Sequence, residues 1–169
     1  MTLIALDRPA AIAAAGKALS DTLTLDAALT RADLNAAMTA AFGTSDATGS
    51  WSQRDSFDML ELAQSRYFSQ HPDVSAPKLA EFLSRMPTHT VRSEEQIIYQ
   101  AFSTPIDIAH LAVRLAAITD QDTILEPSAG TGLLAALAMK KAASIHLNEL
   151  NPTRYGALRE TFPKLSITR

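Results

Sequence analysis

Cysteine is absent from this chain of 169 residues, which excludes disulfide bonds and zinc sites built on thiolates. Long apolar runs are missing too: no stretch of about 18 uncharged apolar residues occurs, so no transmembrane helix is expected. The apolar start of the chain is interrupted by Asp7, Arg8 and Lys17 and lacks the basic stretch that opens a signal peptide. We therefore predict a cytoplasmic protein without a membrane partner.

Excess positive charge is also missing. Lys and Arg number 15 against 18 Asp and Glu, and the formal net charge is −3. Proteins that bind DNA directly need clustered Lys and Arg opposite the phosphates. If DNA is a substrate, most of the surface that binds it should therefore lie outside this chain. The four histidines show no metal-ligand spacing, and no metal site is predicted.

The first part of the chain, residues 1–92, is predicted to be entirely helical, because Ala, Leu and Met dominate it. Cap residues and breakers set the expected boundaries. The predicted helices run from Pro9 to about Leu19, from the cap Thr30 to Gly43, from Arg54 to Ser69, and from the cap Ser75 to before Pro87. No catalytic constellation stands out here, and Trp51 is interpreted as a core anchor.

From Ser93 onward the pattern alternates between helix and strand. The predicted elements are a short helix that begins at the capping box Ser93–Gln96, a helix from Ile106 to about Ile118 with Thr104 and Pro105 as cap and first turn, a strand over Thr123–Glu126, a helix over Leu133–Ala142, a strand over Ser144–Glu149, a helix from Asn151-Pro152, and a strand near Leu165. This order is one half of a doubly wound sheet. The predicted fold class is therefore α/β: an N-terminal all-α region followed, over 93–169, by an incomplete Rossmann-like sheet.

A glycine-containing turn follows the first predicted strand and reads Glu126-Pro127-Ser128-Ala129-Gly130-Thr131-Gly132. Glycines permit positive φ and a close backbone approach to a ligand, and the helix start presents unpaired N–H donors. Three interpretations stay open. The turn fits a dinucleotide fingerprint, motif I of S-adenosylmethionine-dependent methyltransferases, or a strand-to-helix turn without a ligand. A phosphate-binding P-loop is excluded, since no Gly-Lys-Ser/Thr follows.

Two further features bear on that choice. Glu149 lies roughly 20 residues after the glycines, where an acid can accept hydrogen bonds from ribose hydroxyls. Upstream, Phe102-Ser103-Thr104-Pro105 resembles motif X of amino-group DNA methyltransferases, which packs beside the methionine end of the cofactor. The competing interpretations are a solvated acid at a strand end and a simple helix cap.

With these motifs in place, the chain resembles a known group of proteins. The matching segments are Met86 to Glu95, Ala101 to Pro105, Leu125 to Ala135 and Leu147 to Leu150. They are similar to the N-terminal region of bacterial strawberry notch-type methylase–helicase proteins, which join an N6-adenine methyltransferase-like domain to a helicase-like region. The resemblance extends weakly through Phe42 to Trp51.

The resemblance implies S-adenosyl-L-methionine as cofactor and DNA as a partner of the full-length protein. By this resemblance the cofactor-binding residues are Phe102, Thr104 and Pro105 near the methionine, Glu126, Pro127, Ala129, Gly130, Thr131 and Gly132 around the amino acid end, and Glu149 on the ribose.

The 169 residues contain no Asp/Asn-Pro-Pro-aromatic motif, which holds the target amine in such enzymes, so the catalytic residues stay unknown and no turnover by this chain alone is expected. The alternative function is a helical docking module that retains a methyltransferase-like fold. Because a fourth strand would normally flank the first, we expect a bare sheet edge that is covered by the helical region or by self-association.

Overall fold

A computed structural model describes residues 7–88 and 102–169 of the chain. The helical region consists of α1 (Arg8–Thr22), α2 (Arg31–Phe42), a 3-10 turn (Asp46–Thr48), α3 (Gln53–Gln70) and α4 (Ala76–Ser84). Capping boxes open α2 and α3, at Thr30 with Asp33 and at Ser52 with Asp55, and Gly43 ends α2 in the left-handed conformation. The four predicted helices are confirmed, and their ends differ from the predicted ones by at most a few residues.

Helix α3 is the centre of this region. α1 and α2 both pack against it, and most of its side chains are buried. Gly16 on α1 allows α1 and α3 to approach closely, because an added Cβ would lie 3.2 Å from both the Leu62 Cβ and the Met59 carbonyl oxygen. Trp51 is 2% exposed and donates a hydrogen bond from its ring nitrogen to the Thr44 carbonyl at 2.8 Å, which confirms it as a core anchor.

The second part contains α5 (Ile106–Leu115), β1 (Thr123–Glu126), α6 (Leu133–Ala138), β2 (Ser144–Asn148), α7 (Pro152–Thr161) and β3 (Ser166–Thr168). The strands form a parallel sheet in the order β1-β2-β3, with Leu125 opposite His146 and Leu147 opposite Ile167. Among the described residues the protein thus mixes helices with a small parallel sheet. This confirms the α/β class, although the sheet is not a complete Rossmann fold.

One helix cap and two helix ends differ from the sequence-based predictions. Pro105, and not Thr104, is the N-cap of α5, because its ψ of 141° is extended; the helix itself begins at Ile106, as predicted. Helix α5 also ends at Leu115, before the predicted Ile118. Helix α6 ends at Ala138, well before the predicted Ala142, and the chain continues as turns into β2. The predicted helix at Ser93–Gln96 lies outside the described residues.

The two predicted regions share one hydrophobic core. α1 packs against α7, and α3 packs against both α6 and α7. The helical region therefore covers one face of the strand-containing part and brings α3 close to the glycine turn. None of the described helices combines the length and the hydropathy needed to cross a membrane.

Strand β1 is an edge of the sheet. Within the described part of the chain it pairs only with β2, and Leu125 in its middle is 70% exposed. The neighbouring helix α5 also exposes Leu111 and Leu115. The described helices of the first region thus cover a face of this half, and no further described strand pairs with the β1 edge.

Candidate functional site

A cleft lies at the carboxyl end of β1, between the glycine turn and the segment that precedes α5. Its volume is about 20 Å³, far below the roughly 300–1,000 Å³ typical of small-molecule sites, so a ligand of nucleoside size would have to widen it. Six residues predicted to bind a cofactor line it: Phe102, Thr104, Glu126, Ala129, Gly130 and Thr131. Two segments that are distant in sequence therefore converge on one cavity.

The other four predicted residues do not line this cleft. Pro105 caps α5, Pro127 is exposed directly after β1, and Gly132 is the N-cap of α6 with φ of 81°. Glycine is favoured at position 132, because its φ is positive and an added Cβ would lie 2.8 Å from the Leu158 side chain. Gly132 therefore serves the packing of the turn against α7.

Glu149 binds the backbone of the glycine turn. Its side chain is buried, and its two oxygens accept hydrogen bonds from the backbone N–H groups of Gly130, at 2.6 Å, and Asn151, at 2.8 Å. A carboxylate offers about four lone-pair positions, so these two bonds leave acceptor capacity for a ligand hydroxyl. In this structure, however, Glu149 joins two loops and is 7% exposed.

Glu126 is the acid that lines the cleft. Burial, with a smaller contribution from the negative charge of Glu149, raises its pKa to about 7, against the opposing effect of a backbone hydrogen bond from Ala135. Its Oε2 atom is buried and has no hydrogen-bond partner among the described residues. An orphaned buried acceptor is costly, so this atom fits a ligand that brings its own donor, above all a cation.

A network of charged and hydroxyl side chains forms the floor behind the cleft, and the sequence had not indicated it. On one side Arg154 contacts Asp58 of α3, with its Nη2 and Nε atoms 2.7 and 3.1 Å from the same carboxylate oxygen. On the other side its Nη2 donates to the Ser103 hydroxyl at 3.0 Å. Arg54 of α3 also contacts Asp58, at 3.2 Å.

Glu61 completes this network on α3. Its Oε2 accepts hydrogen bonds from the hydroxyls of Ser103, at 2.5 Å, and Thr131, at 2.9 Å. Burial and the nearby Asp58 raise the pKa of Glu61, whereas Arg154 and the two hydroxyls oppose that rise. Desolvation disfavours the charge of Arg154, but its attraction to Asp58, Glu61 and Glu149 raises the Arg154 pKa overall.

Sequence reasoning missed Asp58, Glu61, Ser103 and Arg154 for a physical reason. The acids lie on a helix that reads as an ordinary amphipathic element, and Arg154 is 96 positions away from Asp58. One signal was present: Asp58 and Glu61 are three residues apart and thus lie on one face of α3, among mostly apolar neighbours. The described residues hold no cluster of three His, Asp or Glu side chains suited to a metal ion.

The chain was also compared with protein-family models, with curated proteins and with solved structures, and none of the three comparisons gave a match. A functional assignment must therefore be argued from the cleft and its chemistry.

Proposed function

We propose that this chain is the S-adenosyl-L-methionine-binding portion of a DNA adenine-N6 methyltransferase-like protein, part of a larger methylase–helicase. The observation that carries the proposal is the convergence of two sequence motifs on one cleft. Phe102 and Thr104 come from one motif, and Glu126, Gly130 and Thr131 come from the other. Such a cleft, at the carboxyl end of a parallel strand, is the usual ligand site of α/β sheets.

The chemistry of the lining supports an amino acid-bearing ligand. The buried oxygen of Glu126, which has no hydrogen-bond partner among the described residues, suits an ammonium group. The half-exposed ring of Phe102 offers an apolar surface to the methionine part of the ligand. Glu149 would hold the ribose through its remaining lone pairs. S-Adenosylmethionine, when bound, supplies an electrophilic methyl group; the residues of this chain bind and orient it.

A second candidate belongs to a different class: a helical docking module that retains the fold without the ligand. The state of Glu149 favours it, because both of its oxygens already accept backbone hydrogen bonds. In that case the glycine turn has a structural role only, and the cleft is an incidental space between this turn and the segment that precedes α5.

Calorimetric titration of S-adenosylhomocysteine into the 169-residue chain at pH 8 distinguishes the two candidates. We expect binding, and we expect Glu126→Gln to weaken it by about tenfold or more, since a charge-assisted hydrogen bond is lost. Glu160→Gln, an exposed change on α7, serves as the matched control and should leave the affinity unchanged. No heat of binding from the folded wild-type chain would favour the docking module.

Methyl transfer itself is expected to need residues that hold the target base, because donor and acceptor must be in line at near-contact distance. We therefore expect no incorporation of label from S-adenosylmethionine into adenine-containing DNA by this chain alone. Incorporation above background would show that these 169 residues suffice for transfer.

A further inference from the structure

We propose that Glu61 of helix α3 is a positioning residue that holds the two cofactor-binding segments together, so that the helical region forms part of the cofactor site. The inference rests on the proposed function for its ligand. The geometry behind it, however, belongs to the ligand-free chain and can be tested there.

One oxygen atom carries the argument. Glu61 Oε2 accepts from Ser103, which lies between the cleft residues Phe102 and Thr104, and from Thr131, which lies within the glycine turn. The two hydroxyls are 28 positions apart in sequence and come from the opposite walls of the cleft. A single side chain of α3 thus bridges both walls.

The directions of the hydrogen bonds around Ser103 are compatible with one another. Arg154 Nη2 donates to the Ser103 oxygen, and Ser103 in turn donates to Glu61, so no hydroxyl has to donate twice. Asp58 fixes the guanidinium group from the other side at 2.7 Å. Hydrogen bonds arranged in such a chain strengthen one another in a site shielded from water.

The bridge requires an acceptor oxygen at position 61, and it does not require a full negative charge. Arg154 Nη2 is 3.8 Å from Glu61 Oε2, beyond hydrogen-bond distance, and its close partner is Asp58. A glutamine at position 61 could present its amide oxygen to both hydroxyls. An alanine could not, and the two walls would lose their common partner.

The test combines amide hydrogen exchange of the ligand-free chain with titration of S-adenosylhomocysteine. For Glu61→Ala we expect exchange at residues 129–132 to accelerate about tenfold or more, and the affinity to fall by a similar factor, since two hydrogen bonds to a carboxylate are lost. Exchange in α1 and α2 should change far less. Glu61→Gln should stay within about threefold of wild type in both measurements, as expected when the acceptor is kept.

Glu81→Ala is the matched control, because it removes an exposed Glu of α4 whose side chain is 58% exposed and lies away from the cleft. Unchanged exchange at 129–132 in Glu61→Ala, or equal damage from Ala and Gln, would overturn the positioning role. A wild-type chain that fails to bind the ligand would overturn the proposed function. The exchange result would then still decide whether Glu61 joins the two walls.

Discussion

Two acids in neighbouring parts of this molecule differ in how their charge is compensated. Asp58, on helix α3, lies between the guanidinium groups of Arg54 and Arg154. Glu126, at the end of β1, has a buried oxygen without a partner among the described residues, and its pKa is raised to about 7. The negative charge of Asp58 is thus compensated by two cations, whereas no described side chain bonds to the buried oxygen of Glu126.

The difference indicates a structural role for Asp58 and a candidate binding role for Glu126. A compensated buried ion pair contributes little net stability relative to apolar packing, but it becomes very costly when one partner is removed. An uncompensated acid destabilises the fold as it stands, and strongly perturbed acids in clefts are candidates for ligand binding. Asp58 should therefore be indispensable for folding, whereas Glu126 should be dispensable for folding and needed for binding.

The largest expected effect comes from breaking the compensated side. Asp58→Ala should lower the free energy of unfolding by about 3–5 kcal/mol, because it removes the shared partner of Arg54 and Arg154 inside the protein. Urea-induced unfolding followed by circular dichroism measures this. Glu81→Ala removes an exposed ion pair with Arg85 and should cost about 1 kcal/mol or less. Equal costs for the two variants would remove the distinction between the compensated interior pair and a surface pair.

The next effect has the opposite sign. The folded-state pKa of Glu126, about 7, lies above its ordinary value of 4.5, so its contribution to stability is present below pH 4.5 and is lost as the pH rises through 7. Glu126→Gln should therefore stabilise the fold at pH 8 by no more than about 3 kcal/mol and change little at pH 4. Thermal unfolding of both proteins at the two pH values tests this. A glutamine variant that is less stable at pH 8 would mean that the carboxylate is satisfied in the fold.

The glycine turn permits a smaller test of whether its shape is imposed by packing. Gly132 and Gly43 both have positive φ, of 81° and 69°, but only at Gly132 would an added Cβ contact other atoms, at 2.8 Å from Leu158. Gly43→Ala should cost about 1 kcal/mol from backbone strain, and Gly132→Ala should cost about 2–3 kcal/mol, because the overlap adds to the same strain. If urea unfolding showed the same loss of unfolding free energy for both variants, the Leu158 side chain of α7 would be able to move away from the added Cβ without destabilising the fold.

Local sequence signals were enough for the elements of this fold. The capping box at Thr30, the stop at Gly43 and the cap-proline pair at Asn151-Pro152 each lie where the corresponding helix begins or ends. These signals depend on a few neighbouring residues. The same signals gave the wrong N-cap for α5, which is Pro105, and placed the end of α6 too late, since the helix ends at Ala138.

The residues that line the cleft were predictable from the sequence, but the network behind it was not. Glu126 and Gly130 belong to a motif with a mechanism that can be recognised in the sequence, whereas Glu61 and Arg154 act through contacts across 70 and 51 positions, with Thr131 and Ser103 respectively. Such contacts follow from how α3 packs on α6 and α7, which no local pattern encodes. The function assigned to Glu149 stays a prediction, and its hydrogen bonds to two backbone amides could not be foreseen.

The smallest effect sharpens the comparison at the ligand itself. With a Glu126 pKa of about 7, the ionised fraction rises from about one-tenth at pH 6 to about nine-tenths at pH 8. If the ionised form binds an ammonium group, the affinity for S-adenosylhomocysteine should rise nearly tenfold over this range, by calorimetry in matched buffers. Glu126→Gln should abolish this rise. Any pH dependence of affinity that remains in the variant is due to titration of the amine of the ligand. Because the pKa of Glu61 is also raised, Glu61→Gln is needed as a second control and should keep the slope. A flat profile in a wild-type chain that binds would mean that the ligand does not engage Glu126, and the contrast with Asp58 would then be one of stability alone.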